Sequence, residues 1–309
     1  MTELSQEIFR RFQVRKTAAQ KTAFIAFMQE RFPDLRVEEG GRLPRCRNLI
    51  IGDVDRAEIL LSAHYDTCAK LPFPNFICPQ NLPLYILYSL LICVPFFLLA
   101  ALLNFGLYFI SESFILHMAV SLIVIFGLIY WVFIGGRANP STANDNTSGV
   151  LTLCELYAAL SPEQRAKTAF IFFDHEETGL FGSALFKKLH PQAARTKLLI
   201  NFDCVSDGEH MLIVQSRAAK KRCGNAFAEA FTDGMGKTAH HGGSGTLYPS
   251  DQMNFRLGVA VAAMHKAPLV GLWLSRIHTR RDTVLDETNL QYICAGMKKL
   301  YAALEEKSL

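Results

Sequence analysis

The stretch TAFIFFDHEETGLFGS, residues 168–183, decides the fold class. Its first six residues carry no charge, and four titratable side chains follow at once: Asp174, His175, Glu176 and Glu177. A short apolar run bounded by polar turn residues is the pattern of a strand covered on both faces, as in a sheet flanked by helices. Two more stretches share the plan. EILLSA (58–63) runs into His64, Tyr65, Asp66 and Thr67, and LLINF (198–202) runs into Asp203. Sites in α/β sheets form beyond the carboxyl ends of strands. One sheet edge is therefore expected to collect these polar residues.

Working outward, residues 3–32 show helical periodicity (Phe9, Phe12, Phe24, Phe27), with Pro33 as the stop. Residues 48–51 and 58–63 are β-rich runs around a turn at 52–56, the pattern of a hairpin. A helix is expected over 150–160, preceded by the turn residues Asn144, Asp145 and Asn146. Further strands are expected at 211–214 and 259–264, and an amphipathic closing helix at 288–306. His278 closes the run GLWLSRI and is followed by Asp282 and Thr283. Alternating strands and helices predict an α/β three-layer sandwich with a mixed, mostly parallel central sheet.

The sandwich is interrupted. From 71 to 136 the only charged side chain is Glu112, and His117 is the only other titratable group besides cysteines and tyrosines. Two stretches, about 84–110 and 114–134, exceed the roughly 20 apolar residues that a membrane helix needs. Tyr85, Tyr88, Tyr108, Tyr130 and Trp131 lie toward their ends, as interfacial aromatics do. The competing reading is a pair of buried core helices. On the membrane reading the chain divides into a discontinuous α/β domain, 1–78 and 137–309, and a transmembrane hairpin, 79–136. Arg42, Arg45, Arg47, Lys70 and Arg137 flank the hairpin, and no Lys or Arg lies between its spans. The positive-inside rule then puts the α/β domain in the cytoplasm of a multi-pass membrane protein.

Composition agrees. Half of the 309 residues are hydrophobic and 19% are charged, fewer charges than the usual quarter, and mean hydropathy is +0.17. A net charge of +4 is too small for this length to argue for nucleic acid. Eight scattered cysteines without a CxxC pair read as a reduced compartment, and the opening residues contain no apolar signal run.

The residues gathered at strand ends suit metal chemistry. Two His, two Asp and a Glu offer nitrogen and oxygen donors of the kind that hold zinc, manganese or cobalt. A carboxylate bridging two cations makes a two-metal hydrolytic site, which still needs a base. Of two adjacent glutamates, Glu177 can hold metal while Glu176 stays free as general base. Asp66, two residues after His64, suits orienting that imidazole.

HYDT, ANDNTSGV, DHEETGLFGS, NFDCVS and IHTRRDT resemble, in this order, the five motifs of metallopeptidase family twenty-eight, the co-catalytic di-zinc aminopeptidase family. SDQMNF (250–255) resembles a further block. The resemblance implies two Zn2+, one held by His64 and Asp203, the other by Glu177 and His278, with Asp145 bridging them. It also implies a cis peptide after Asp145, and an aminopeptidase acting on peptides. Tyr248 is the candidate for stabilising the tetrahedral intermediate. Carboxypeptidases, dipeptidases and glutaminyl cyclases are the enzymatic alternatives. The non-catalytic alternative is a membrane binding protein that has kept only the fold. The family's cyclases use a single zinc, whereas all five ligand positions are filled here.

Other residues read as structural. His175 falls on the opposite face from Glu176, and Cys204 reads as a small buried filler. His240 and His241, in HHGGSG, read as loop histidines, with the cleft wall as their alternative place. Ser250–Asp251 lacks a base that would make a serine nucleophile. The chain leaves for the membrane soon after His64 and returns just before Asp145. The active-site mouth is therefore expected to face the bilayer or to lie beneath the spans, and membrane-proximal peptides are the expected substrates. Oligomeric state is not legible in the sequence.

Overall fold

The computed structural model describes residues 1–243 and 245–306. Its strands are β1 (Arg36–Gly40), β2 (Cys46–Ile51), β3 (Ile59–His64), β4 (Thr168–Phe173), β5 (Leu198–Phe202), β6 (His210–Gln215), β7 (Thr238–His241), β8 (Leu257–Ala267) and β9 (Gly271–Trp273). They are ordered β1-β2-β4-β3-β5-β8-β6-β7, with β9 pairing β8. The four central strands β4, β3, β5 and β8 run parallel. Antiparallel pairings join β2 to β4 and β6 to β8.

Period-two alternation divides the central strands between two cores. Leu49, Leu61, Phe170, Phe172, Ile200 and Phe202 enter one. Ile50, Leu60, Ala169, Ile171, Phe173 and Leu199 enter the other. The first core is covered by α1 (Glu3–Arg11), α2 (Ala18–Arg31) and two helices described below, α5 and α11. The sheet is thus buried on both faces, which explains the continuous apolar runs.

Between β3 and β4 the chain forms α3 (Leu82–Tyr108) and α4 (Phe114–Tyr130), the latter continuing as a wider turn to Gly135. None of the side chains of α3 is buried, and Leu87, Phe97 and Leu102 are each more than 60% exposed. The core-helix alternative is therefore excluded. Both helices are long and apolar enough to cross a membrane.

The remaining helices are α5 (Gly149–Ala159), α6 (Pro162–Ala166), α7 (Phe181–Leu189), α8 (Pro191–Thr196), α9 (Arg217–Cys223), α10 (Ala226–Ala230) and α11 (Glu287–Glu306). In α7, Phe186 fills the second core, as Ala193 and Ala194 do from α8. Gly149 opens α5 where a Cβ would lie 2.3 Å from the Phe202 carbonyl oxygen, so the helix can press on the end of β5 only without a side chain there.

Three expectations need correction. The 52–56 turn does not close a hairpin: β4 lies between β2 and β3, and the hairpin partner of β2 is β1. β1 escaped notice because RVEEG is a charged edge strand. Residues 3–32 form two helices, because Arg15 turns inward between them. Its guanidinium donates to the carbonyls of Tyr65 and Phe12 and to Thr147 Oγ1, while Thr17 and Gln20 close a capping box that starts α2. His240 and His241 belong to edge strand β7, with His240 against His210.

Lys21 and Asp174 form an ion pair with both side chains buried. Asp174 also accepts from the Arg47 and His175 backbone N–H groups, fixing the turn after β4. Removing one member of such a pair strands the other charge. Lys21→Met should lower unfolding free energy by about 3–5 kcal/mol, and adding Asp174→Asn should recover part of the loss in denaturant melts. An unchanged midpoint in the single variant would refute this.

Candidate metal centre

Parallel pairing brings the strand termini together. His64 lies opposite Phe173 in the β3–β4 register, and Ser62 opposite Asn201 in the β3–β5 register. Asp203 follows β5 directly, and Glu176 and Glu177 follow β4. Asp145 approaches from the turn before α5, and His278 from the loop after β9.

The central contact is the Asp145 carboxylate. Its Oδ1 lies 3.3 Å from His64 Nε2 and its Oδ2 3.0 Å from His278 Nε2. His64 Nε2 is also 3.7 Å from Asp203 Oδ1, and His278 Nε2 is 3.1 Å from Glu177 Oε2. Each oxygen of Asp145 thus belongs to a different imidazole–carboxylate set. The ligand atoms of His64, Glu176 and Asp203 lie within 4.8 Å of one another, as do those of His64, Asp145 and Glu177. Among the described residues, Glu177 Oε1 is buried without a hydrogen-bond partner. A buried, unsatisfied carboxylate oxygen on a residue grouped with imidazole nitrogens and other carboxylates is what a zinc-type cation satisfies, so the residues fit the metal.

The peptide between Asp145 and Asn146 is cis, as the resemblance implied. The backbone here is held by side chains. Asp282 accepts from the N–H groups of Asn144 and Asp145 at 2.7 and 3.0 Å. Asn146 Oδ1 accepts from Gly149 and Cys204 N–H, and Asn144 Oδ1 from Ser206 and Asp207 N–H. Asp66 accepts from the N–H groups of Glu176 and Glu177 at 3.0 and 3.3 Å. Its backbone carbonyl lies 3.0 Å from His64 Nδ1, and its carboxylate 3.6 Å from the same nitrogen. Asp66 thus holds the glutamates as well as the imidazole.

Electrostatics follow from the crowding. Burial pushes Glu176 well above the usual carboxyl range, with Asp203 and Asp251 adding to the rise against His64. Burial raises Asp282 to about 8, with Asp145 adding to the effect. Asp66 falls to about 2, because the neighbouring His64 ring and the charge of Lys21 outweigh burial. Burial lowers the fully enclosed Arg15 to about 10 against the pull of Asp66 and Asp145.

The side chains converge on a cleft of about 320 Å³. Tyr248 lines it, its hydroxyl donating to the Asp203 carbonyl. Cys204 is buried there, and Tyr85, in the first turn of α3, reaches the same cleft. His175 lies outside it, bonded to Thr178 Oγ1, and neither His240 nor His241 lines it. Ser250 accepts from Asn201. A larger depression of about 580 Å³ lies by Thr168, at the opposite end of β4, and holds none of the gathered residues. Sequence reading did not assign roles to Arg15, Asn144, Asn146 and Asp282. The signal available for the two asparagines was their position astride Asp145. Nor was Cys68 singled out, whose buried sulfur lies within 4.8 Å of ligand atoms of Glu177 and His278.

The model of Peptidase family M28 matches residues 131–297, a segment that includes Asp145, Glu176, Glu177, Asp203 and His278. No curated protein matches by sequence. Among solved structures, the chain is similar to the Legionella pneumophila LapA aminopeptidase, with TM-score 0.56 and 15% identity over 98% of this chain and 68% of that one. It is similar also to the glutaminyl cyclase of Macrostomum lignano, with TM-score 0.59 and 11% identity over 99% of this chain and 90% of that one. For the glutaminyl cyclase of Fimbriiglobus ruber the values are 0.51 and 13%, over 96% and 93%. Identities this low speak for fold alone. The family match spans more than half of the sequence, and the chain belongs to peptidase family M28.

Proposed function

We propose that this chain is a membrane-anchored two-metal aminopeptidase that removes N-terminal residues from peptides. The observation that carries the reading is the Asp145 carboxylate lying between His64 and His278, one oxygen to each. On this reading His64 and Asp203 would hold one Zn2+ and Glu177 and His278 the other, with Asp145 shared between them. Bound there, the pair supplies Lewis acidity toward the scissile carbonyl and the attacking water.

The protein side chains do the rest. Glu176, beside His64 and Asp203, takes the proton of the attacking water and delivers it to the leaving amine. A carboxyl whose pKa is raised by burial suits that exchange. Asp66 keeps the His64 ring in place and fixes both glutamate backbones. Tyr248, at the cleft wall, is the hydrogen-bond donor proposed for the developing oxyanion, its hydroxyl turning from the Asp203 carbonyl to do so.

The proposed topology puts 79–136 in the bilayer as two passes, with 1–78 and 137–309 on the cytoplasmic side. The feet of the helices support it. Lys70, Arg137, Arg280 and Arg281 line grooves there with Trp131, Pro72 and Phe73, and Lys16 donates to the Ile134 carbonyl at the end of α4.

Three experiments test these readings. Glu176→Gln in the detergent-purified protein should keep its metal, by elemental analysis, and lose about 10²–10⁴-fold in kcat on peptides with a free N-terminus; turnover within twofold of wild type would remove Glu176 from the mechanism. Cleavage confined to N-blocked peptides, or cyclisation of an N-terminal glutamine instead of hydrolysis, would move the chain to one of the rival activities. Chelation should abolish turnover and lower the melting temperature, with zinc restoring both, because bound ions offset the repulsion among carboxylates. An impermeant maleimide added to intact cells should label Glu112→Cys and reach Arg137→Cys only after permeabilisation; the reverse pattern would invert the topology.

A further inference from the structure

The segment 71–81 joins the metal centre to α3, and it is bonded along its length to the loops that carry the centre. Leu71 N–H donates to the carbonyl of His278 at 2.8 Å. Ile77 and Leu274 exchange backbone hydrogen bonds at 3.0 and 2.9 Å, and Leu247, the neighbour of Tyr248, donates to the Pro79 carbonyl at 2.9 Å. Phe76 packs on Tyr88 of α3 and on Trp273 of β9, with ring centroids 5.4 and 6.3 Å away. The returning end is tied as firmly: Ala138 bridges Ala69, and Phe133 packs on Phe73. The cleft therefore cannot swing away from the feet of the two helices without breaking these contacts.

Asn75, Ile77 and Tyr85 line the cleft together with His64, Glu176 and His278. One residue beyond Tyr85, the lipid-type surface begins: Ile86, Leu87, Leu90 and Leu91 are 49–64% exposed. At 1.5 Å rise per residue, Tyr85 and Leu91 are about 9 Å apart along α3. The side chains of Lys70, Arg137, Arg280 and Arg281 make no ion pair or hydrogen bond among the described residues. Unpaired cations beside an apolar helix foot match the depth of anionic headgroups.

We infer that the cleft opens within the headgroup layer of the bilayer, and that its substrates are polypeptide N-termini held at that surface by an apolar or acylated segment of their own. This rests on the aminopeptidase reading and adds to it where the scissile bond must lie. A peptide whose first residue sits close to its membrane anchor reaches such a mouth without leaving the lipid. A mouth some 20 Å above the bilayer would need at least about six or seven extended residues of reach.

The experiment uses the full chain in nanodiscs containing anionic lipid. Peptides sharing one N-terminal tetrapeptide carry a C-terminal palmitoyl anchor after spacers of 0, 3, 8 or 20 residues, at equal surface density. Because every substrate is lipid-bound, co-localisation is the same throughout. We expect kcat/KM for the 0- and 3-residue spacers to equal or exceed that for 20 residues. Cleavage at least tenfold slower for the short spacers would overturn the inference. The same series with acetylated N-termini runs in parallel. If only the acetylated peptides are cut, the aminopeptidase reading fails while their spacer dependence still locates the mouth. If neither series is cut while soluble peptides are, the inference fails and the aminopeptidase reading stands on the soluble substrates.

Discussion

The structure depends on a concentration of negative charge that a protein interior cannot hold unaided. Asp66, Asp145 and Asp203 are buried. Glu176 and Glu177 stand with them at one sheet edge, facing two imidazoles. Two carboxylates 4 Å apart repel by about 4 kcal/mol at an effective dielectric of 20, and desolvation adds to this for each group. Without cations the cluster relaxes by taking up protons and by pairing its remaining carboxylates with the imidazoles. The raised pKa values of Glu176, of Asp282 at about 8 and of Asp251 at about 7 have that sign. Positive charge from behind offsets only part of it: Arg15 serves the Asp66 and Asp145 side, and Lys21 is already paired with Asp174.

Keeping such groups close requires a backbone that cannot yield. The Asp145 turn is gripped from Asp282 in the loop before α11 and, through Asn144 and Asn146, from the turn after β5. The Glu176–Glu177 turn is gripped by Asp66. Every one of these is a carboxylate or amide oxygen accepting from backbone N–H groups, in places where the chain has left regular structure and those donors would otherwise be orphaned. The side chains that hold the site thus also satisfy the backbone that carries it.

This explains what the sequence did and did not disclose. The gathering of His64, Glu176 and Asp203 was legible because parallel strands align their carboxyl ends, and an apolar run followed by a polar residue marks such an end. The sandwich and the two long apolar helices were legible by the same periodicity arguments. The insertion of β4 between β2 and β3 was not, because strand order is set by contacts more than 100 residues apart and leaves no local mark. Arg15 broke a helix that periodicity had made continuous, since the acceptors drawing it inward belong to residues 65 and 147. Asp282 looked like one loop acid among several. Its role exists only once the Asp145 turn is folded above it.

The insertion point of the hairpin follows from the same edge. Loops beyond the carboxyl ends of strands can lengthen without disturbing the layers beneath, and they are where α/β proteins place their chemistry. An insertion between β3 and the Asp145 turn is therefore cheap for the sheet but lands on the rim of the cleft. The structure shows the consequence in its hydrogen bonds. The segment leading into α3 caps the carbonyl of His278 and pairs with Leu274, and Tyr85 is a wall residue of the cleft. Truncating α3 and α4 would expose backbone groups next to a site residue as well as removing apolar surface. Helix pair and cleft are in that sense one packed structure, and what happens at the foot of α3 is felt within a few residues of His278.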